Sequence, residues 1–149
     1  MYVNKRISRS RISEIYKDTN LISLKISTIK KDIYIHNLYI EPLSHSTKDL
    51  PSILTTLRDL LKNKGGHIIL GDFNLYHPLW NSPTYDKYYY IADDLLNIVS
   101  VIDAVLYTLK GLAIRDCQRG IHHEKTTIDL LFSNLENIET IPRINEDLE

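Results

Sequence analysis

A single cysteine, Cys117, in 149 residues excludes an internal disulfide framework and fits a reducing compartment. No apolar run approaches the roughly 18 residues of a membrane helix, so no membrane partner is expected. Met1 to Arg11 is polar and basic and lacks the apolar stretch of a secretory leader; an intracellular setting, cytoplasm or nucleus, is the expectation. Neither sign of charge dominates. Eighteen Lys and Arg face 19 Asp and Glu for a net charge of -1, so bulk electrostatics give no pull toward a polyanion, and any nucleic-acid contact must come from local clusters. Repeats, low-complexity tracts and linker-like shifts in composition are also missing, and residues 1–149 read as one unit.

What is present is ordinary for a globular domain: 43% hydrophobic and 25% charged residues, enough to build a core. Ten tyrosines stand out, but with abundant Lys, Asn and Ile they match an AT-rich coding sequence and carry no functional weight. Residues 21–29 alternate, with Leu24 and Ile26 on one side and Ser23, Lys25 and Ser27 on the other, which predicts a half-buried strand. After the polar turn Lys30-Lys31-Asp32, the Ile- and Tyr-rich run 33–40 predicts a hairpin partner that ends at Pro42. A helix follows: Ser46, Thr47 or Asp49 as cap, Pro51 in the first turn, then Ile53, Leu54, Leu57, Leu60 and Leu61 at helical spacing, stopped by Gly65-Gly66. His67 to Leu70 predicts a buried central strand running into Gly71. A second helix is expected over 89–99, and strands over 101–107, 126–133 and 138–144. Strands and helices mix without regular alternation, which favours an α+β or layered α/β sandwich over a doubly wound sheet.

The strongest local signal is Gly71-Asp72-Phe73-Asn74 at the end of the buried run. In an extended chain Asp72 and Asn74, two apart, point to one side. A carboxylate there can orient or deprotonate a water. A carboxamide can both donate and accept, and so hold a phosphate oxygen or a metal-bound water. Taken alone, the four residues fit an Asx turn closing a strand better than a site. The continuation Leu75-Tyr76-His77-Pro78-Leu79-Trp80 changes that balance.

Gly-Asp-Phe-Asn followed by His-Pro-x-Trp, seven identities in ten positions, resembles the signature of LINE-type (non-LTR) retrotransposon endonucleases. These belong to the endonuclease/exonuclease/phosphatase superfamily, the DNase I-like and AP-endonuclease-like domains. Asn37-Leu38-Tyr39-Ile40-Glu41-Pro42 is similar to that family's Asn-x-Tyr strand end, and Thr126-Thr127-Ile128-Asp129-Leu130 to its Thr-Ile-Asp-Leu strand, in the same order. Strand periodicity agrees: Asn37 and Tyr39 would share one face, and Thr127 and Asp129 would share a face opposite Ile128, Leu130 and Phe132. The resemblance implies an α/β (α+β) fold, a DNase I-like layered β-sandwich flanked by helices, incomplete in this chain. It implies metal-dependent hydrolysis of phosphodiesters along a DNA backbone. Asp72 would act on the attacking water, Asn74 would hold that geometry, Tyr39 would hydrogen-bond a phosphate oxygen, and Asp129 would support the site with Thr127. His77 and Trp80 would pack the loop or touch DNA. Mg2+ (or Mn2+) would be the ion, and Asn74 the one candidate ligand in this chain.

Two parts of the family pattern have no counterpart: an upstream Asn with a metal-binding Glu, and a closing Ser-Asp-His. The expectation is therefore a domain truncated at both ends, with impaired activity. The alternatives are a non-catalytic remnant of the fold, or a phosphoesterase of the same superfamily acting on a phospholipid or inositol phosphate; the His-Pro-x-Trp extension favours DNA. Weaker groupings carry blander readings. Cys117, His122 and His123 lack a zinc-ligand spacing. His36, His45 and His67 read as surface or satisfied histidines. Lys5, Arg6, Arg9 and Arg11 read as a solvated face, and Tyr88-Tyr89-Tyr90 as packing.

Overall fold

The computed structural model describes residues 11–42, 50–82, 88–111, 115–119 and 122–136, with side chains except at 115–119 and 122–126. The chain begins with an antiparallel meander of β1 (Ile12–Lys17), β2 (Leu21–Ile26) and β3 (Ile33–Tyr39). Helix α1 (Ser52–Leu60) then carries it over to β4 (Gly66–Asp72), which pairs parallel with β3; a parallel neighbour requires such a crossover. After a loop come α2 (Tyr90–Ser100), the short β5 (Val105–Leu106), a two-stranded ribbon of β6 (Arg115–Arg119) and β7 (His122–Thr126), and β8 (Asp129–Ser133). Strand β8 returns antiparallel to β4, giving a six-stranded mixed sheet in the order β1-β2-β3-β4-β8-β5.

Both helices are amphipathic and turn their apolar stripes to one face of this sheet. Ile53, Leu54 and Leu57 of α1 and Ile91, Leu95 and Val99 of α2 share a single core with Leu21, Leu38, Ile69, Leu130 and Phe132. The loop after β4 plugs that core: Phe73 and Trp80 both meet Phe132 edge to face, and the Trp80 indole N–H donates to the Leu75 carbonyl at 2.9 Å. The expected α/β (α+β) mixture is what the structure contains, here as a six-stranded mixed sheet with two helices and a two-stranded ribbon.

Several expected boundaries shift. Strand 126–133 breaks at Thr127-Ile128 into β7 and β8, and the strand expected over 101–107 contracts to Val105–Leu106. Pro51 is the N-cap of α1 rather than a residue of its first turn; Ser46, Thr47 and Asp49 lie outside the described residues, as do segment 138–144, Arg6 and Arg9. The register places Cys117 opposite Glu124 and His123 opposite Gln118 on the ribbon.

The faces of β2 are the reverse of those expected. Leu21 and Ser23 point into the core, and Leu24 and Ile26 lie half-buried on the other side. The reason is a buried polar chain. Ser23 Oγ lies 2.9 Å from His36 Nδ1, His36 Nε2 lies 3.0 Å from His67 Nδ1, and His67 Nε2 lies 2.9 Å from the Asn63 carbonyl. A carbonyl can only accept, so His67 Nε2 carries its proton and its Nδ1 accepts. That sets His36 as a donor at Nε2 and an acceptor at Nδ1, and Ser23 donates the last bond. Tyr34 stacks on the His67 ring at a centroid distance of 5.0 Å.

Burial first, and then repulsion from His67, lowers the His36 pKa from 6.5 to about 4, and burial lowers that of His67 as well. Both rings therefore fold neutral. Their contribution to stability is complete above pH 6.5 and is lost as pH falls from there through the folded-state values. At about 1.4 kcal/mol per pH unit, denaturation in urea between pH 7 and 4 should show a loss on the order of 3 kcal/mol from His36, and His36→Gln should flatten that slope. An unchanged slope in the variant would exclude the buried chain as its cause. Gly71 has φ +138°, and a Cβ there would sit 1.9 Å from the Leu38 carbonyl oxygen. Gly71→Ala should cost at least about 2 kcal/mol in the same measurement.

Candidate active site

Three of the expected residues lie in one row across the sheet. The parallel register pairs Tyr39 with Asp72, and the antiparallel register pairs Asp72 with Asp129. All three lie at strand termini at the same end of the sheet, on the face opposite the core residues Leu38 and Leu130. Gly71, next to Asp72, lets the backbones of β3 and β4 approach as closely as this pairing needs. The Ile40 N–H bonds the Asp72 carbonyl at 2.8 Å and the Phe73 N–H the Ile128 carbonyl at 2.9 Å, so the chain on either side is tied to the Asp72–Phe73 peptide group. Tyr39 is 43% exposed, and Asp129 is also exposed.

Asn74 sits directly behind Asp72, but not as an extended strand would place it. Strand β4 ends at Asp72, and Asn74 takes a left-handed φ of 46°, a region that asparagine enters more readily than most residues. Its N–H donates to Asp72 Oδ1 at 3.1 Å, and its side-chain Nδ2 donates to the Ile40 carbonyl at 2.9 Å. The Asx turn is real and coexists with the row. It fixes one carboxylate oxygen of Asp72, and the carboxamide, anchored through nitrogen, retains Oδ1 as an acceptor.

Thr127 departs from the expected face. It precedes β8, is buried, and its N–H is held by Asn81 Oδ1 at 3.2 Å; burial at the β7–β8 break removes it from the exposed face of Asp129. His77 belongs to the loop and not to the row. Its ring packs on Trp80 and Tyr88 at centroid distances of 4.9 and 5.6 Å, its Nδ1 accepts the Leu79 N–H, and its Nε2 faces Asp93 at 3.4 Å. Reading the sequence alone missed Asn81, which braces the entry to β8. Among the described residues its Nδ2 is buried without a hydrogen-bond partner. Its position beside Trp80 was the available signal.

The electrostatics of the row are unfavourable by construction. Partial desolvation first, and the Asp72 charge second, raise the Asp129 pKa above its ordinary 3.8. Directly opposed like charges destabilise an antiparallel pair. Asp72, Asp129 and the acceptor of Asn74 are oxygen donors of the kind a hard divalent cation takes. Among the described residues no three His, Cys, Asp or Glu side chains group as a metal cluster, and no helix is long and apolar enough to cross a membrane.

Residues 33–147 match a family described as endonuclease-reverse transcriptase. No curated protein matches. Among solved structures, the endonuclease domain of TRAS1, a telomere-specific non-LTR retrotransposon, is similar over 81% of this chain with a TM-score of 0.64 and 20% identity, a likeness of fold. This chain spans 54% of the length of that domain. An endonuclease/exonuclease/phosphatase family protein from Leptotrichia buccalis matches at 18% identity over 78% of this chain and 42% of its own, with a TM-score of 0.44.

Because the Asp129 pKa is raised in the fold, its contribution favours folding below its unfolded value of 3.8 and is lost as pH rises through the folded value. Asp129→Asn should therefore stabilise the protein at pH 7, by about 0.2–1 kcal/mol for a relieved cross-strand repulsion, and the gain should vanish below pH 3.8. Thermal melts of both proteins at the two pH values test this; equal or lower stability of the variant at pH 7 counts against the repulsion.

Proposed function

This chain belongs to the endonuclease-reverse transcriptase family, and from that membership we propose that it hydrolyses phosphodiester bonds of DNA in a metal-dependent reaction. The observation that carries the proposal is the row of Tyr39, Asp72 and Asp129, paired residue to residue across three strands with Asn74 anchored behind it. In the proposed reaction Asp72 uses the carboxylate oxygen that Asn74 leaves uncommitted to orient a water and take its proton. The bond from that water's oxygen to phosphorus forms as the opposite phosphorus–oxygen ester bond breaks, and the leaving oxygen takes up a proton. Tyr39 donates its hydroxyl hydrogen to a non-bridging phosphate oxygen. Asp129 stands beside Asp72 with its own pKa raised by partial burial and by the Asp72 charge. Thr127 and His77 support the site through the backbone at the start of β8 and the 74–82 loop. Mg2+ or Mn2+, held by Asp72, Asp129 and the amide oxygen of Asn74, would neutralise charge on the phosphate and leaving oxygen.

Among the described residues, two carboxylates and one amide are offered to the ion. Nicking of supercoiled plasmid under single-turnover conditions is the appropriate assay. Mg2+-dependent nicking should disappear in Asp72→Ala and fall by about two to three orders of magnitude in Tyr39→Phe, the usual loss for one charge-stabilising donor. Turnover of inositol phosphates without nicking would replace this reading with a phosphoesterase. No cleavage and no DNA binding by the folded protein would leave a non-catalytic remnant.

A further inference from the structure

A pocket of about 260 Å³ opens beside Asp72, between the turn joining β1 to β2 and the end of β3. Its wall includes Thr19, Asn20, Ile22, Asn37, Tyr39 and Asp72. The volume lies just under the roughly 300 Å³ at which small-molecule sites begin, enough for one nucleoside unit and not for a longer segment. Apart from the Asp72 carboxylate, its described wall is uncharged: one threonine hydroxyl, two carboxamides, a tyrosine and the exposed apolar flank of Ile22. Among the described residues no Lys, Arg or His lines it, so this wall is poorly suited to a second phosphate. Carboxamides donate and accept along a plane, as the edge of a base requires, and an exposed tyrosine ring offers a stacking face.

The wall is also built in advance. The Asp18 carboxylate accepts the Asn20 and Leu21 N–H groups, each at 2.7 Å, and the Tyr16 hydroxyl at 2.8 Å. The Asp18 N–H closes the turn on the Leu21 carbonyl at 2.9 Å. The Tyr39 N–H then bonds the Asn20 carbonyl at 2.8 Å, joining the turn directly to the strand that presents Tyr39 to the row. A short turn with this many bonds holds its side chains in place without ordering them on binding.

We propose that this pocket receives the base and sugar of a nucleotide adjacent to the scissile phosphate, with Asn20 and Asn37 addressing the base edge and Tyr39 shared between pocket and phosphate. The proposal rests on the phosphodiesterase reading above. Asp18 is a positioning residue of the wall.

The test is a 1H–15N NMR titration of the 149-residue chain in Mg2+ with three probes: an adenine dinucleotide, a thymine dinucleotide and the same sugar–phosphate without bases. The base-bearing probes should shift the side-chain amide signals of Asn20 and Asn37 and bind about tenfold or more tightly than the abasic one. Asn20→Ala and Asn37→Ala should each reduce that difference, with the backbone signals of the Asp18 turn unmoved to show that the wall is intact. Equal binding of all three probes, with shifts confined to the Tyr39, Asp72 and Asp129 strand ends, would overturn the pocket and leave the proposed function standing. No shifts at either place would overturn both.

Discussion

The parallel, in-register pairing of β3 with β4 is the constraint on which the rest of the molecule depends. It places Tyr39 beside Asp72, requires helix α1 as the crossover, and leaves β4 with a free edge that β8 fills to bring in Asp129. A one-residue slip along either ladder would send these side chains to opposite faces of the sheet. Two features resist such a slip. Gly71 lies against the Leu38 carbonyl where no side chain fits, and the Ser23–His36–His67 chain closes only when three strands are aligned.

The same pairing sets two like charges against each other. Two carboxylates face each other on adjacent strands, and burial together with the Asp72 charge raises the pKa of Asp129. Proteins keep such local violations where activity needs them and compensate elsewhere. Here the compensation is a well-filled opposite face, with Phe73, Trp80 and Phe132 locked edge to face beneath the row. The residues that carry charge and those that carry stability thus alternate along the same strands.

Much of this was legible in the sequence, for reasons that differ by element. Helices α1 and α2 showed themselves through apolar spacing, and β3 and β4 through short apolar runs ending in polar groups. The ordered motifs around Tyr39, Asp72 and Asp129 anticipated the row. What was not legible depended on partners distant in the chain. Ser23 reads as the solvent side of an alternating strand, because nothing local reveals that a histidine 13 residues later needs its hydroxyl in the core. The left-handed turn at Asn74 depends on the Ile40 carbonyl, 34 residues away, and the break before β8 on Asn81, 46 residues before Thr127. The pocket beside Tyr39 is formed by a turn whose conformation is written in three bonds to Asp18, not in an apolar pattern.

The buried histidine chain has a direction. Its terminal acceptor is a backbone carbonyl in the turn after α1, which cannot donate, so every proton along the chain is assigned from that end. Rotating that single peptide group away would release two ring tautomers and one hydroxyl together, across β4, β3 and β2. The middle strand of the meander is thereby informed of the state of the turn after α1, by protons that change places without any strand changing its position.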